Sequence, residues 1–293
     1  MTIRNSSVDI RPAFGALGAE IHGVDLAEPI DDLAYREIRN ALNERGVIFF
    51  RGQGHITPDQ QLAFAKRFGD IWVSKAQTRL PGHPQVVELR KEPEETHDHG
   101  GNWHTDQAFT EVPALGSLLL AREIPSSGGG DTMFANMYAA YDSLSPGLKR
   151  TLEGMRAVHS VAQRIAVVGI AEPRKSMDDT VQAEAMGEAD KVKVAVHPVI
   201  TRHPESGRKV LYINPTYTTH FEGWTVEESQ PLLNYLYKHG SRPENTGRFH
   251  WEVGSLVFWD NRSTWHFAVQ DYNGYRRVMH RVSVKGSAPV AAS

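Results

Sequence analysis

Apolar residues recur along this chain with two different periods, and the change of period separates helices from strands. Leu33, Ile38, Ala41 and Leu42 fall on one side of a helix that Asp31 and Asp32 can cap and Gly46 can stop. Val47-Ile48-Phe49-Phe50 follows as an unbroken apolar run, the pattern of a buried strand. Thr57-Pro58 supplies an N-cap and a proline at the first helical position, predicting a helix through Leu62, Ala65 and Phe68 to Gly69. Ser145-Pro146 repeats that start. Thr225 and Glu228 form a capping-box pattern for a helix through Leu232, Leu233 and Leu236. Pro231 inside it argues for a later start.

Strand signals dominate elsewhere. Residues 8–26 mix short apolar segments with Gly15, Gly18 and Gly23. Further strands are predicted at 86–90, 115–121, 194–201, 209–213, 255–259 and 277–284, with a turn at Pro204-Glu205-Ser206-Gly207. Pro125 to Gly130 makes a glycine-rich loop before Met133-Phe134-Ala135 resumes. Residues 91–101 read as a loop, and 166–192 as a flexible insertion or lid. Helices lie mostly early, strands late, and no βαβ alternation occurs. The length of residues 1–293 fits one large domain or two small ones, and the pattern predicts an α+β or mainly β core with peripheral helices, a jelly roll among the options.

Composition narrows the chemistry. The net charge of −3 gives no reason to expect nucleic acid or an anionic membrane as partner. No apolar run approaches a membrane span, and the N-terminus lacks a signal-peptide core, so a cytoplasmic enzyme is expected. With no cysteine, disulfides, thiolate catalysis and thiolate-held metals are excluded. Any metal must be held by His and carboxylate, which suits Fe(II), Mn(II) or Zn(II).

The candidate ligands are His104 and Asp106, within Trp103-His104-Thr105-Asp106, and His266 far downstream. Two imidazoles and one carboxylate on one face of a metal leave open positions for a chelating cosubstrate and dioxygen. Spacing alone is weak, since about 1.7 His-x-acid triplets are expected by chance. The same pattern recurs at His220-Phe221-Glu222 and His250-Trp251-Glu252. On a strand, His104 and Asp106 would share a face. His250 lies too close to His266 in sequence to build a sandwich around a site, and His220 precedes a helix cap in what reads as a loop. Eleven residues after His266 stands Arg277, whose fork can clamp a carboxylate; Arg281, four further on, would share its strand face.

At this point the chain resembles a known family. Trp103-His104-Thr105-Asp106, Gly129-Gly130-Asp131-Thr132, Trp259-Asp260-Asn261-Arg262 through His266, and Arg276-Arg277-Val278-Met279-His280-Arg281 are similar to the motifs of the taurine dioxygenase/TfdA-type Fe(II)- and 2-oxoglutarate-dependent dioxygenases, in the same order. The resemblance runs from Gly18 to Val284. It implies a double-stranded β-helix fold, Fe(II) held by His104, Asp106 and His266, and 2-oxoglutarate held through its distal carboxylate by Arg277 and Thr132. It also implies a substrate anion at Arg281, O2 as oxidant, succinate and CO2 as coproducts, and a homo-oligomer, dimer or tetramer.

Sulfonates, sulfate esters and aryloxy or alkyl carboxylates are the substrate classes implied. Ser74-Lys75-Ala76-Gln77 follows Phe68-Gly69-Asp70 where taurine dioxygenases carry a His and a Tyr, and Gly100 replaces an expected Asn. Both departures argue against taurine itself. Lys75 and Arg79 read as solvated surface charges, His97 and His99 as loop residues, and Tyr217 as pocket lining or core. The competing readings are a non-catalytic jelly-roll binding protein and a Zn(II) or Mn(II) hydrolase using the same triad.

Overall fold

The computed structural model describes residues 8–73, 78–95, 100–161 and 194–292. Its main sheet runs in the order β1 (Asp9–Pro12), β2 (Ala19–His22), β3 (Val47–Phe50), β15 (Leu256–Asp260), β7 (Ala114–Glu123), β17 (Arg277–Lys285), β6 (His83–Lys91) and β5 (Arg79–Leu80), and β4 (Ile71–Trp72) also pairs with β17. A second sheet is β14 (Thr246–Phe249), β8 (Thr132–Asn136) and β16 (Thr264–Ala268). Two smaller sheets complete the described strands: β10 (Val194–Pro198), β9 (Arg156–Ser160) and β13 (Thr218–Phe221); and β12 (Lys209–Leu211), β11 (Ile200–Arg202) and β18 (Val290–Ala291). The C-terminal strands β15 and β17 insert between N-terminal strands, and the main-sheet pairs are antiparallel except β2 with β3. The described chain is thus mixed α and β, with large sheets and few helices.

The apolar runs exist because the main sheet is covered on both faces. Ile48, Phe50, Leu118, Leu120, Leu256, Phe258, Val282 and Val284 pack on one face with Ile38 and Leu42 of α1 (Asp32–Arg45) and Leu62 and Phe64 of α2 (Pro58–Lys66). The alternate residues Val47, Phe49, Leu119, Val257, Trp259 and Met279 pack on the other face, against Phe134 of β8 and Phe249 of β14. Side chains alternate along a strand, so a strand buried on both sides reads as continuous hydrophobicity. Each buried Leu, Ile or Phe contributes about 1.5–3 kcal/mol. A third core lies behind the second sheet, where α3 (Met137–Asp142) and α5 (Val226–Gly240) pack with β11, β12 and Trp265.

The helix starts follow their caps. Asp31 accepts from Ala34 N, and Thr57 with Gln60 closes a full capping box. Gly46 ends α1 at φ 70°, and a side chain there would meet the Thr264 methyl at 2.6 Å. Three expectations are corrected. Leu33 is exposed, and Ala34 takes the buried position. The α2 helix closes at Lys66, before Phe68. Pro231 does not delay α5, which begins at Val226 because Thr225 and Glu228 complete their box ahead of it. Pro231 and Glu227 are both exposed, so the carbonyl left without a helical partner lies on the solvent side. Residues 166–192, read as an insertion or lid, lie outside the described residues.

Candidate active site

The strand β16 carries His266, and register places it opposite Phe134 of β8, with Ala268 opposite Thr132. Paired residues of an antiparallel ladder share a face, so His266 and Thr132 look into the space between the two sheets. The expectation that His104 and Asp106 share a strand is corrected. His104 makes an isolated bridge to His266, with N–H···O contacts of 3.1 and 2.9 Å in both directions. Asp106 then opens a turn in which Gln107 takes φ 57°. That backbone region is rare for a residue with a Cβ, and it swings the chain away directly after the carboxylate.

These three side chains converge. One ligand atom each from His104, Asp106 and His266 lie within 4.8 Å of one another, the only such cluster among the described residues. Asp106 Oδ1 is 3.8 Å from His104 Nε2 and 3.7 Å from His266 Nε2. Its other oxygen is held back: Ser117 Oγ donates at 3.0 Å, Asn261 Nδ2 at 3.4 Å, and Arg281 Nη2 lies at 2.6 Å. One oxygen therefore faces the imidazoles while three donors fix its twin. His104 Nδ1 lies 2.8 Å from the Asn102 carbonyl, which can only accept, so Nδ1 carries a proton and Nε2 is the atom turned towards Asp106. His266 Nδ1 is buried without a hydrogen-bond partner among the described residues.

Electrostatics favour the ligand protonation states. Burial, then the neighbouring His104, pushes the His266 pKa well below its ordinary value, keeping the ring neutral. Burial tends to raise the Asp106 pKa, but Arg281, His266, His104 and Ser117 together outweigh it and hold the carboxylate ionised. Two imidazoles and one carboxylate, with no thiolate, match a borderline divalent ion. Bonds of about 2.1 Å would need only small side-chain shifts to close on one.

Arg277 and Arg281 project from the same face of β17 as Met279, which belongs to the core between the sheets. Arg277 is buried, 9% exposed. Its Nη2 donates to the Gly130 carbonyl at 3.3 Å, its Nε has no partner, and no carboxylate among the described residues forms an ion pair with it. The rings of Trp251 and Tyr272 each lie 5.7 Å from its Cζ. A desolvated guanidinium without an ion-pair partner is costly, so the space beside Arg277 suits an anion. Thr132 is buried beside it on β8, its Oγ1 accepting from Trp251 Nε1 at 3.0 Å. Asp131 holds the preceding loop through Arg248 at 2.6 Å and His250 at 2.9 Å, and Asp271 binds Gly130 N at 2.7 Å.

The remaining candidates separate. His220 lies on β13, not in a loop, and Glu222 pairs with Arg156 at 3.0 Å. His250 turns to Asp131 while Glu252 lies 3.6 Å from Arg51. A further triplet, His203-Pro204-Glu205, belongs to an ion network with Asp260, Arg262 and Arg39 that runs from the buried His203–Asp260 pair to the surface. Tyr217 is buried, its ring 4.9 Å from Phe109 and 6.4 Å from His104. Gly100 sits at φ 71° with its missing Cβ 3.5 Å from His104 Cε1, so it offers the site no side-chain amide. Arg79 lies on the short outer strand β5. Ser74, Lys75, Ala76, Gln77, His97 and His99 lie outside the described residues. Sequence reasoning gave no role to Ser117, Trp251, Tyr272 or Asn261. Ser117 was detectable as the one hydroxyl in the run Leu115 to Ala121, and Asn261 stood inside a quoted motif.

Comparisons with known proteins agree along nearly the whole chain. Residues 9–283 match the family model described as Taurine catabolism dioxygenase TauD, TfdA family. The alpha-ketoglutarate-dependent sulfate ester dioxygenase of Pseudomonas putida is 33% identical over 290 residues, covering 97% of this chain and 91% of that one. A taurine dioxygenase structure from Burkholderia xenovorans superposes with TM-score 0.80 at 34% identity, covering 97% and 93% of the two chains. AAD-2 in complex with Mn(II) and N-oxalylglycine superposes with TM-score 0.79 at 28% identity, covering 97% and 100%.

Proposed function

Since the chain belongs to the taurine catabolism dioxygenase TauD, TfdA family, we propose that His104, Asp106 and His266 hold the Fe(II) of a 2-oxoglutarate-dependent dioxygenase acting on a small organic anion. The protein is an oxidoreductase that uses Fe(II), 2-oxoglutarate and O2. The observation that carries the site assignment is the convergence of the three ligand atoms within 4.8 Å. When bound, Fe(II) and 2-oxoglutarate supply the oxidation: O2 is consumed, 2-oxoglutarate loses CO2 to become succinate, and a substrate C–H becomes C–OH.

The residues supply geometry and charge. His104 and His266 would hold the ion through Nε2, and Asp106 through Oδ1 alone, because Ser117, Asn261 and Arg281 restrain Oδ2. Arg277 and Thr132 would take the distal carboxylate of 2-oxoglutarate, a reading supported by the lack of an ion-pair partner for Arg277 among the described residues. Arg281 spends Nη2 on Asp106 and Ser117, while its Nε is unpartnered, so N–H groups remain for a substrate anion. A sulfonate, a sulfate ester, or an aryloxy or alkyl carboxylate fits that charge. The sulfate ester relative supports the second. Gly100 supports the reading against taurine, because the expected Asn amide is missing beside His104.

The wider reading is one domain over residues 1–293, with the two facing sheets as a double-stranded β-helix, working as a cytoplasmic homo-oligomer, dimer or tetramer. No helix among the described residues is long and apolar enough to cross a membrane. A hydrolase using the same triad would leave the Arg277 socket without a task. The test is succinate release from iron-reconstituted protein across the three substrate classes. Release should require both Fe(II) and 2-oxoglutarate and be lost in Asp106→Ala; protein that binds iron but no 2-oxoglutarate would refute the reading.

A further inference from the structure

We propose that Trp251 is a positioning residue of the 2-oxoglutarate socket, its indole N–H setting the Thr132 hydroxyl as a donor. The proposal rests on the functional reading above and deepens it. Trp251 is 2% exposed, and its Nε1 lies 3.0 Å from Thr132 Oγ1. An indole nitrogen donates and never accepts. The Thr132 oxygen must therefore receive that hydrogen bond, and its own proton is left for another acceptor. Among the described residues no side chain or carbonyl takes that proton. A carboxylate is an acceptor only, so the hydroxyl is oriented for one before any ligand arrives.

The same ring does a second job. Its face lies 5.7 Å from the Arg277 guanidinium carbon, opposite a charge that has no carboxylate partner among the described residues. The ring is itself fixed by an edge contact with Phe249, centroids 4.8 Å apart at 80°. Phe249 pairs with Thr132 in the β14–β8 ladder. One strand end therefore positions both groups that would meet the distal carboxylate. His250-Trp251-Glu252 matched the ligand pattern by its outer residues, while its middle residue serves the site.

The experiment measures anaerobic binding of 2-oxoglutarate to Mn(II)-loaded protein by calorimetry. Trp251→Phe keeps a ring and deletes the N–H. Its Kd should rise about fivefold to tenfold, the size of one hydrogen bond. Thr132→Val should rise by about tenfold or more, and the double variant should bind no worse than Thr132→Val, because the indole acts through the hydroxyl. With iron, KM for 2-oxoglutarate should rise in Trp251→Phe while kcat at saturation holds. Additive effects, or unchanged binding in Trp251→Phe, overturn the proposal alone. Wild-type protein that binds no 2-oxoglutarate overturns the functional reading and this proposal with it. Indole-labelled wild-type and Thr132→Val proteins give a test independent of Trp251 variants. An indole N–H resonance displaced by Thr132→Val should also move when N-oxalylglycine is added, and the absence of any such resonance refutes the proposal.

Discussion

Arg277→Met should leave the ligand-free protein as stable as before, or more so, while removing its grip on 2-oxoglutarate. Arg277 is buried and its charge has no ion-pair partner among the described residues. Burial lowers its pKa, an effect that Tyr272 and Asp131 only partly offset. The substitution gives up one carbonyl contact of 3.3 Å, a side-chain hydrogen bond with Tyr272 and two ring contacts of 5.7 Å, together about 2–4 kcal/mol. Against that loss stands relief of a desolvated, uncompensated charge, which costs several kcal/mol. The net change in stability should lie between zero and about 2 kcal/mol in favour of the variant. Affinity should move the other way. Deleting one partner of a buried charged pair costs about 2–5 kcal/mol, or about thirtyfold to several thousandfold in Kd.

Arg262→Met is the matched control. That guanidinium is also largely buried, but it holds Asp260 at 2.7 and 2.8 Å and Glu205 at 2.6 Å. Burial opposes its charge, yet Asp260 and Glu205 outweigh burial and raise its pKa. Its loss strands the buried Asp260 carboxylate and should cost about 3–5 kcal/mol. Urea unfolding of metal-free protein and calorimetric titration with 2-oxoglutarate measure both quantities. Arg277→Met destabilised as much as Arg262→Met, or still binding 2-oxoglutarate normally, would refute the reasoning.

Ser117→Ala removes a 3.0 Å donor from Asp106 Oδ2 and should weaken metal binding about 10- to 100-fold in a chelator competition; unchanged affinity would show that Arg281 and Asn261 suffice. Glu205 should carry an acid-sensitive share of stability. Burial raises its pKa, but Arg39, Arg262 and Asn43 together lower it to about 2 from 4.5. A depressed carboxylate stabilises the fold fully above its unfolded pKa and loses that contribution as pH falls towards the folded one. About 1–2 kcal/mol, discounted for solvent screening at this partly exposed group, should therefore disappear as pH falls from 4.5 towards 2. Glu205→Gln should flatten that part of the stability profile, and a slope unchanged in the variant would contradict the assignment.

Legibility followed locality. Caps at Asp31, Thr57, Ser145 and Thr225 act within four residues, and each starts a helix in the structure. The runs at 47–50, 115–121 and 277–284 became strands because both faces of the main sheet are covered. Leu33 failed because helical position depends on which side meets the core, and a few apolar residues leave that phase open. His104 and Asp106 were predicted close together for the wrong reason. A turn with a left-handed Gln107, not a strand, presents the carboxylate.

The sequence by itself determined the ligand types, the absence of thiolates, the helix caps and the order of motifs that resembles one family, since all of these are properties of short segments. Only the tertiary structure decided that His104 lies against His266, that Asp106 offers one oxygen and has the other restrained, and that Arg277 stands buried with no counter-ion among the described residues while Arg262 has two. Those facts depend on antiparallel pairing between segments far apart in the chain. Strand register is set by burial summed over whole sheets, and no local pattern carries that sum.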